Sequence, residues 1–230
     1  MISNRLAKIR QSIDSVCQKT GRSSSDIHII GASKYANAQQ LQEALEAGLT
    51  DIGENRVQDA KEKFDALGLT RNKFTKHMIG HLQTNKAKLA VELFDMIQSV
   101  DSLKLAEEID KQAEKMTREM DVLVEVNTSG EEQKFGLTPS QVPALVAQIA
   151  ELENIRVLGL MTIAANSDDE KIIRNCFKTL RRLFDQLKEQ YHDHPRVSMQ
   201  FLSMGMTNDY LIAIEEGANM VRIGRAIFQS

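Results

Sequence analysis

At 230 residues the chain could hold one large domain or two cramped ones, and its 3 prolines and 12 glycines are scattered rather than gathered into a linker, so one domain spanning 1–230 is expected. Hydrophobic residues at 42% and charged residues at 27% exclude a disordered chain, and a net charge of -3 with mixed signs leaves no basic footprint for nucleic acid. The opening residues lack the apolar core of a signal peptide, no apolar run approaches the roughly 18 residues of a membrane span, and Cys17 and Cys176 are too few for a disulfide framework, which predicts a soluble, cytoplasmic protein.

Ile2, Leu6, Ile9, Ile13, Val16 and Cys17 recur at spacings of three and four, which predicts an amphipathic helix ending at Gly21. Cys17 on that stripe reads as core filler. Strand-like apolar runs then begin near Ile27, Thr50, Phe74, Phe94, Asp121, Ile155, Val197 and Asn219. Near-continuous runs such as Ile27–Ile30 and Val122–Val126 suit strands covered on both faces, as in parallel sheets. Helical segments lie between them. Asn37 precedes the first, Thr138-Pro139-Ser140-Gln141 reads as a capping box, and a long apolar stripe runs from Asp168 to Gln190. Eight β units alternating with helices in under 250 residues predict an α/β fold, a closed (β/α)8 TIM-type barrel with an extra N-terminal helix. No helix is expected after the eighth strand, and the N-terminal helix is expected to cover that gap. An open doubly wound sheet is the alternative.

In such a barrel the chemistry sits where strands pass into βα-loops. Lys34 directly follows the first strand. A lysine partly desolvated there can offer its amine for Schiff-base chemistry, and a solvated loop lysine is the plain alternative. Ser203 to Thr207 ends strand seven and opens a helix, with Thr207 as a candidate N-cap, and Gly224 offers a close backbone approach from strand eight. Together they suggest an anion site, or else ordinary turns. Arg222 lies inside the last strand and needs a partner, either Glu125 or an anion or ring nitrogen of a ligand. Glu125 itself reads as structural. His81 is a candidate to line the site, His28 reads as core, and His192 and His194 read as solvent-exposed.

The phrases Ser33-Lys34, Gly53-Glu54-Asn55-Arg56-Val57-Gln58, His77 to Lys86, Val126 to Glu131, Lys134-Phe135-Gly136-Leu137, Gly159-Leu160-Met161, Leu202 to Met206 and Val221-Arg222-Ile223-Gly224 stand in order along the chain. In this the chain resembles the pyridoxal phosphate homeostasis proteins, which are similar in fold to the N-terminal domain of alanine racemase. The resemblance implies a cytoplasmic, monomeric carrier that binds, buffers and delivers pyridoxal 5′-phosphate to apo-enzymes without turnover. It also implies the cofactor bound covalently to Lys34 as a Schiff base, Asn55 near the ring and Arg222 facing the ring nitrogen. Ser203, Thr207, Gly224 and the amide of Arg225 would hold the phosphate. An amino-acid racemase or a lysine Schiff-base aldolase are the alternatives. The chain departs from the family at Tyr35-Ala36-Asn37, where Thr-Lys-Pro-like residues are usual, and at Thr207-Asn208-Asp209, where Ser-Asp-Asp is usual.

Overall fold

Most of the strands are buried on both faces along most of their length, which leaves the sheet with almost no solvent side, and such a sheet is stable only when helices cover it. The computed structural model describes residues 1–68 and 74–229. Its strands are β1 (His28–Ala32), β2 (Asp51–Glu54), β3 (Thr75–Met78), β4 (Met96–Val100), β5 (Met120–Glu125), β6 (Ile155–Met161), β7 (Val197–Ser203) and β8 (Met220–Ile223). They pair in sequential order, all parallel, and β8 closes on β1 with His28 opposite Met220 and Ile30 opposite Arg222. The barrel is therefore closed, as its alternating pattern predicts, and the open sheet is excluded.

Alternation along each strand divides the core in two. Outward residues such as Val122, Val124 and Leu160 pack with helix residues in one large cluster. A smaller cluster of Ile30, Met96, Leu123, Leu158, Met161 and Met220, from five different strands, fills the barrel interior. Polar side chains share that interior, and they build the site described below.

The helices follow local signals. The N-terminal helix α1 (Ile2–Thr20) buries its predicted stripe, Cys17 included, and ends on left-handed Gly21. Helix α2 (Ala38–Glu46) starts at Asn37, whose side chain and that of Gln40 cap each other's backbone amides. The Thr138–Gln141 segment forms only half a box. The Gln141 side chain accepts from the Thr138 amide at 3.0 Å, but the segment is a turn and the helix begins at Val142. The long amphipathic helix runs over Glu170–Gln190. After β8 a four-residue helix, Arg225–Phe228, stands where none was expected; it is too short to show a helical period. Helix α1 packs over it, with Arg5 donating to the Ile227 carbonyl at 3.1 Å, so the N-terminal helix does cover this seam.

Candidate functional site

The C-terminal ends of β1 and β2 hold the first half of the site. Ser33, one residue past β1, is fully buried, and its hydroxyl donates to the Glu54 carboxylate and the Gly53 carbonyl. Lys63, on the helix Val57–Ala66 after β2, donates to the Ser33 carbonyl at 2.6 Å and to Glu54 Oε1 at 2.7 Å. Glu54 is 1% exposed, so this ion pair is shielded from solvent on its acidic side. Lys34 emerges from this anchored residue into solvent, its Nζ 4.9 Å from the centre of the Tyr35 ring. The expected partial desolvation is not there. Lys34 sits two residues beyond the strand end, clear of the barrel wall, and its side chain is exposed.

Strands β7 and β8 hold the second half. Arg222 is buried in the barrel. Its Nη1 donates to Ser203 Oγ at 2.7 Å and its Nη2 to the Thr162 carbonyl at 2.7 Å. Burial lowers its pKa to about 10, against the pull of Glu125 and Asp209, so it remains a cation at neutral pH. Glu125, weighed as its partner, acts only through space. Its Oε2 has no hydrogen-bond partner, and burial with the nearby Asp101 charge raises its pKa to about 7 against the opposing field of Arg222.

The loop after β7 turns on Gly205 at φ 93°, where an added Cβ would meet Ala213 Cβ at 2.5 Å. The next helix begins only at Tyr210, so Thr207 stands in the turn and does not cap it; Asp209 occupies the cap position. A Cβ on Gly224 would come within 2.9 Å of the Ala32 carbonyl, which brings the start of the last loop against the end of β1.

These two halves face one cavity of about 480 Å³, within the range for a small-molecule site. Lys34, Asn55, Thr207, Arg222, Gly224 and Arg225 all line it. Ser203 does not. Its side chain points into the barrel, where it supports Arg222, and it is fully buried. The lining has four basic side chains, Lys34, Lys134, Arg222 and Arg225, and one acid, Asp209. That balance suits an anionic guest. The two lysines differ. The Lys134 ammonium is committed to Glu131 Oε1 at 2.7 Å and the Ala164 carbonyl at 2.8 Å, whereas Lys34 Nζ makes no hydrogen bond or ion pair among the described residues.

The other candidates fall outside the cavity. His81 stacks on Phe135 at 3.8 Å between centroids, with Nδ1 3.4 Å from Asp101. His28, read as core, is exposed at the N-terminal end of β1, edge-on to Phe201, because β1 enters the barrel only from Ile30 onward. His192 is exposed as expected, while His194 is half-buried against Tyr191. Among the described residues, no group of three or more His, Cys, Asp or Glu side chains could hold a metal ion.

Five residues to which the sequence reading gave no role prove central to the architecture: Glu54 and Lys63 beneath Lys34, and Asp51, His77 and Gln98 beneath Arg222. Asp51 Oδ1 lies 3.0 Å from His77 Nε2, His77 Nδ1 lies 3.1 Å from Gln98 Nε2, and Gln98 Oε1 accepts from Ser203 at 2.7 Å. Burial opposes ionisation of Asp51, but hydrogen bonds from His77 and Thr50 outweigh it and hold the carboxyl below its usual range. Only Gln98 offered a local signal, a polar residue inside the otherwise largely apolar run of β4.

A parallel eight-stranded barrel with an uncommitted lysine beyond its first strand and a buried arginine in its last defines a class. Residues 5–230 match the family described as alanine racemase, N-terminal domain, and the chain belongs to it. Within it the chain is a member of the pyridoxal phosphate homeostasis protein family. It is 40% identical over 224 residues to the pyridoxal phosphate homeostasis protein of Aquifex aeolicus, covering 97% of this chain and 96% of that one. An unknown protein from Bifidobacterium adolescentis superposes with a TM-score of 0.92 at 34% identity, over 99% of this chain and 94% of that one. PipY of Synechococcus elongatus, solved with PLP bound, superposes with a TM-score of 0.86 at 33% identity, over 99% and 100%.

Proposed function

We propose that this chain binds pyridoxal 5′-phosphate in the cavity and serves as a non-enzymatic store and donor of it. The observation that carries this reading is the pairing of an uncommitted amine, Lys34, with a buried cation, Arg222, on the walls of one basic cavity. When bound, the cofactor supplies an aldehyde that condenses reversibly with a primary amine, releasing water. Lys34 provides that amine, and its solvent exposure lets water or an acceptor's amine reach the same point. Arg222 would face the ring nitrogen and, as a cation, would disfavour its protonation, which weakens the cofactor as an electron sink. Asn55, on the cavity wall, would stand beside the ring. The Thr207 hydroxyl, Gly224 and the Arg225 amide, which line the same cavity, would hold the phosphate. Ser203 is reassigned from the phosphate to the support of Arg222.

The fit rests on charge and on space: four basic groups against one acid, and the glycine at 224 where a side chain would crowd β1. Carrier function is favoured over racemase because Tyr35 is the only tyrosine among the residues lining the cavity, and it adjoins Lys34 in the chain. The acceptors would be apo-enzymes that use the same cofactor. The test is an absorbance spectrum of protein loaded with pyridoxal phosphate, before and after borohydride, with peptide mapping. A reduced label on Lys34 supports the reading; a label confined to other lysines refutes it.

A further inference from the structure

The barrel interior contains an uninterrupted file of polar side chains: Asp51 on β2, His77 on β3, Gln98 on β4, Ser203 on β7 and Arg222 on β8. Every link is between 2.7 and 3.1 Å. All five residues are buried. The file runs from the first residue of β2, at the floor of the barrel, to the end of β8, beside the cavity.

Its two ends determine every hydrogen in between. A guanidinium can only donate, so Ser203 Oγ must accept from Arg222, and its own hydrogen goes to Gln98 Oε1. The Gln98 amide then presents Nε2 to His77, whose Nδ1 must accept. The remaining hydrogen of the imidazole sits on Nε2 and is donated to Asp51, a carboxylate that can only accept. With a neutral imidazole, the self-consistent arrangement is four groups donating in one direction, from the cation to the carboxylate. Bonds aligned in this way polarise and strengthen one another, and in a low-dielectric interior a broken link leaves unsatisfied groups on both sides. With its Nη2 tied to the Thr162 carbonyl, the guanidinium is held at two points, one of which depends on the whole file.

We infer that Asp51, His77, Gln98 and Ser203 act as positioning residues that lock the Arg222 guanidinium in one orientation, and that this locking sets how tightly the cavity retains its cofactor. The second half of the inference rests on the proposed role of Arg222 toward the ring nitrogen; the first half does not.

The experiment therefore has two arms, run on wild type and on two variants that break different links, Gln98→Leu and Ser203→Ala. Ser203→Ala removes one atom and keeps the variant set informative if Gln98→Leu folds poorly. Thermal melting of each protein reports on folding.

In the first arm, nitrogen-15 NMR of the protein without cofactor reads Arg222 directly. Wild type should show a guanidinium with slow rotation and distinct Nη signals, and His77 with its hydrogen on Nε2. Both variants should lose the distinct Nη signals. In the second arm, pyridoxal phosphate itself is titrated into each protein and followed by absorbance. Retention should weaken roughly tenfold in either variant, the loss of one hydrogen bond to a charged group. His77→Asn, which keeps an acceptor where Nδ1 stands, should recover more of that loss than His77→Leu.

Unchanged Arg222 signals in both folded variants would overturn the inference. Altered signals with unchanged retention would uphold the locking of Arg222 and refute its role toward the ring. Altered signals together with weakened retention would establish both.

Discussion

The Lys63 ammonium donates to the Ser33 carbonyl at 2.6 Å, so the residue immediately before Lys34 is pinned from the helix that follows β2. The same ammonium holds Glu54, and Glu54 accepts from the Ser33 hydroxyl. Three groups from three elements thus fix one backbone position.

Replacing Lys63 by Met removes the positive member of this cluster and leaves the Glu54 carboxylate buried against Ser33 alone. A buried charged group deprived of its partner costs about 2–3 kcal/mol. Chemical denaturation of wild type and Lys63→Met should show that loss, and the double variant with Glu54→Gln should regain part of it. Equal midpoints for wild type and Lys63→Met would refute the clamp.

Lys34→Ala should abolish the yellow colour of protein loaded with pyridoxal phosphate, and borohydride should then fix no label at this site. The cavity's other lysine is not expected to substitute, because Lys134 is held by Glu131 and the Ala164 carbonyl. A visible band that persists unchanged in Lys34→Ala would refute the assignment.

Arg222→Gln should weaken cofactor retention by about tenfold to a hundredfold, the range for losing a hydrogen bond to a charged group. Competitive dialysis against an apo-enzyme would measure it. The same affinity in both proteins would place the ring elsewhere.

Glu125 gives a pH signature. Its pKa rises on folding from the usual 4.5 to about 7. The folded chain therefore binds the proton more tightly than the unfolded chain. The stabilisation that this brings is present in full below about 4.5 and is lost as pH rises through 7, by about 3 kcal/mol in total. Glu125→Gln cannot ionise, so its melting temperature should fall less than that of wild type between pH 5 and pH 8. Parallel melting curves across that interval would show that Glu125 does not titrate with folding.

Racemase turnover should be absent. Racemisation needs acid–base groups on both faces of the carbanion, each within reach of its proton, and general acid–base help is worth roughly 10²–10⁴-fold. Lys34 would serve one face and Tyr35 adjoins it, while Tyr210 packs against the core. Deuterium exchange and chiral analysis of alanine incubated with loaded protein should show at most slow exchange. Turnover on the order of one per second would establish an enzyme.

The barrel was legible because each strand is a local run of apolar residues and each begins within about two residues of its predicted start. The last helix was not, since Arg225–Phe228 is barely one turn. At the site, Lys34 and Arg222 could be read from their position at strand ends. Ser203 could not: the final side chain of a strand faces the barrel interior or the helix layer according to parity, and a one-residue difference decides which. The shared role of Asp51, His77 and Gln98 was invisible for a related reason. Each pairs with a residue about twenty or more positions away, and no local pattern announces such a partner.

The contrast between an exposed Lys34 and a buried Arg222 separates two rates. Capture begins at an amine that solvent already reaches, so no strand has to move for association. Release requires undoing contacts with a guanidinium held inside the barrel. Substitutions in the barrel interior should therefore shorten residence time and leave the association rate nearly constant, as is usual when affinity is tuned at one site. If the chain hands over its cargo as proposed, the lifetime of the loaded form becomes the adjustable quantity, and it would be set by side chains buried inside the barrel.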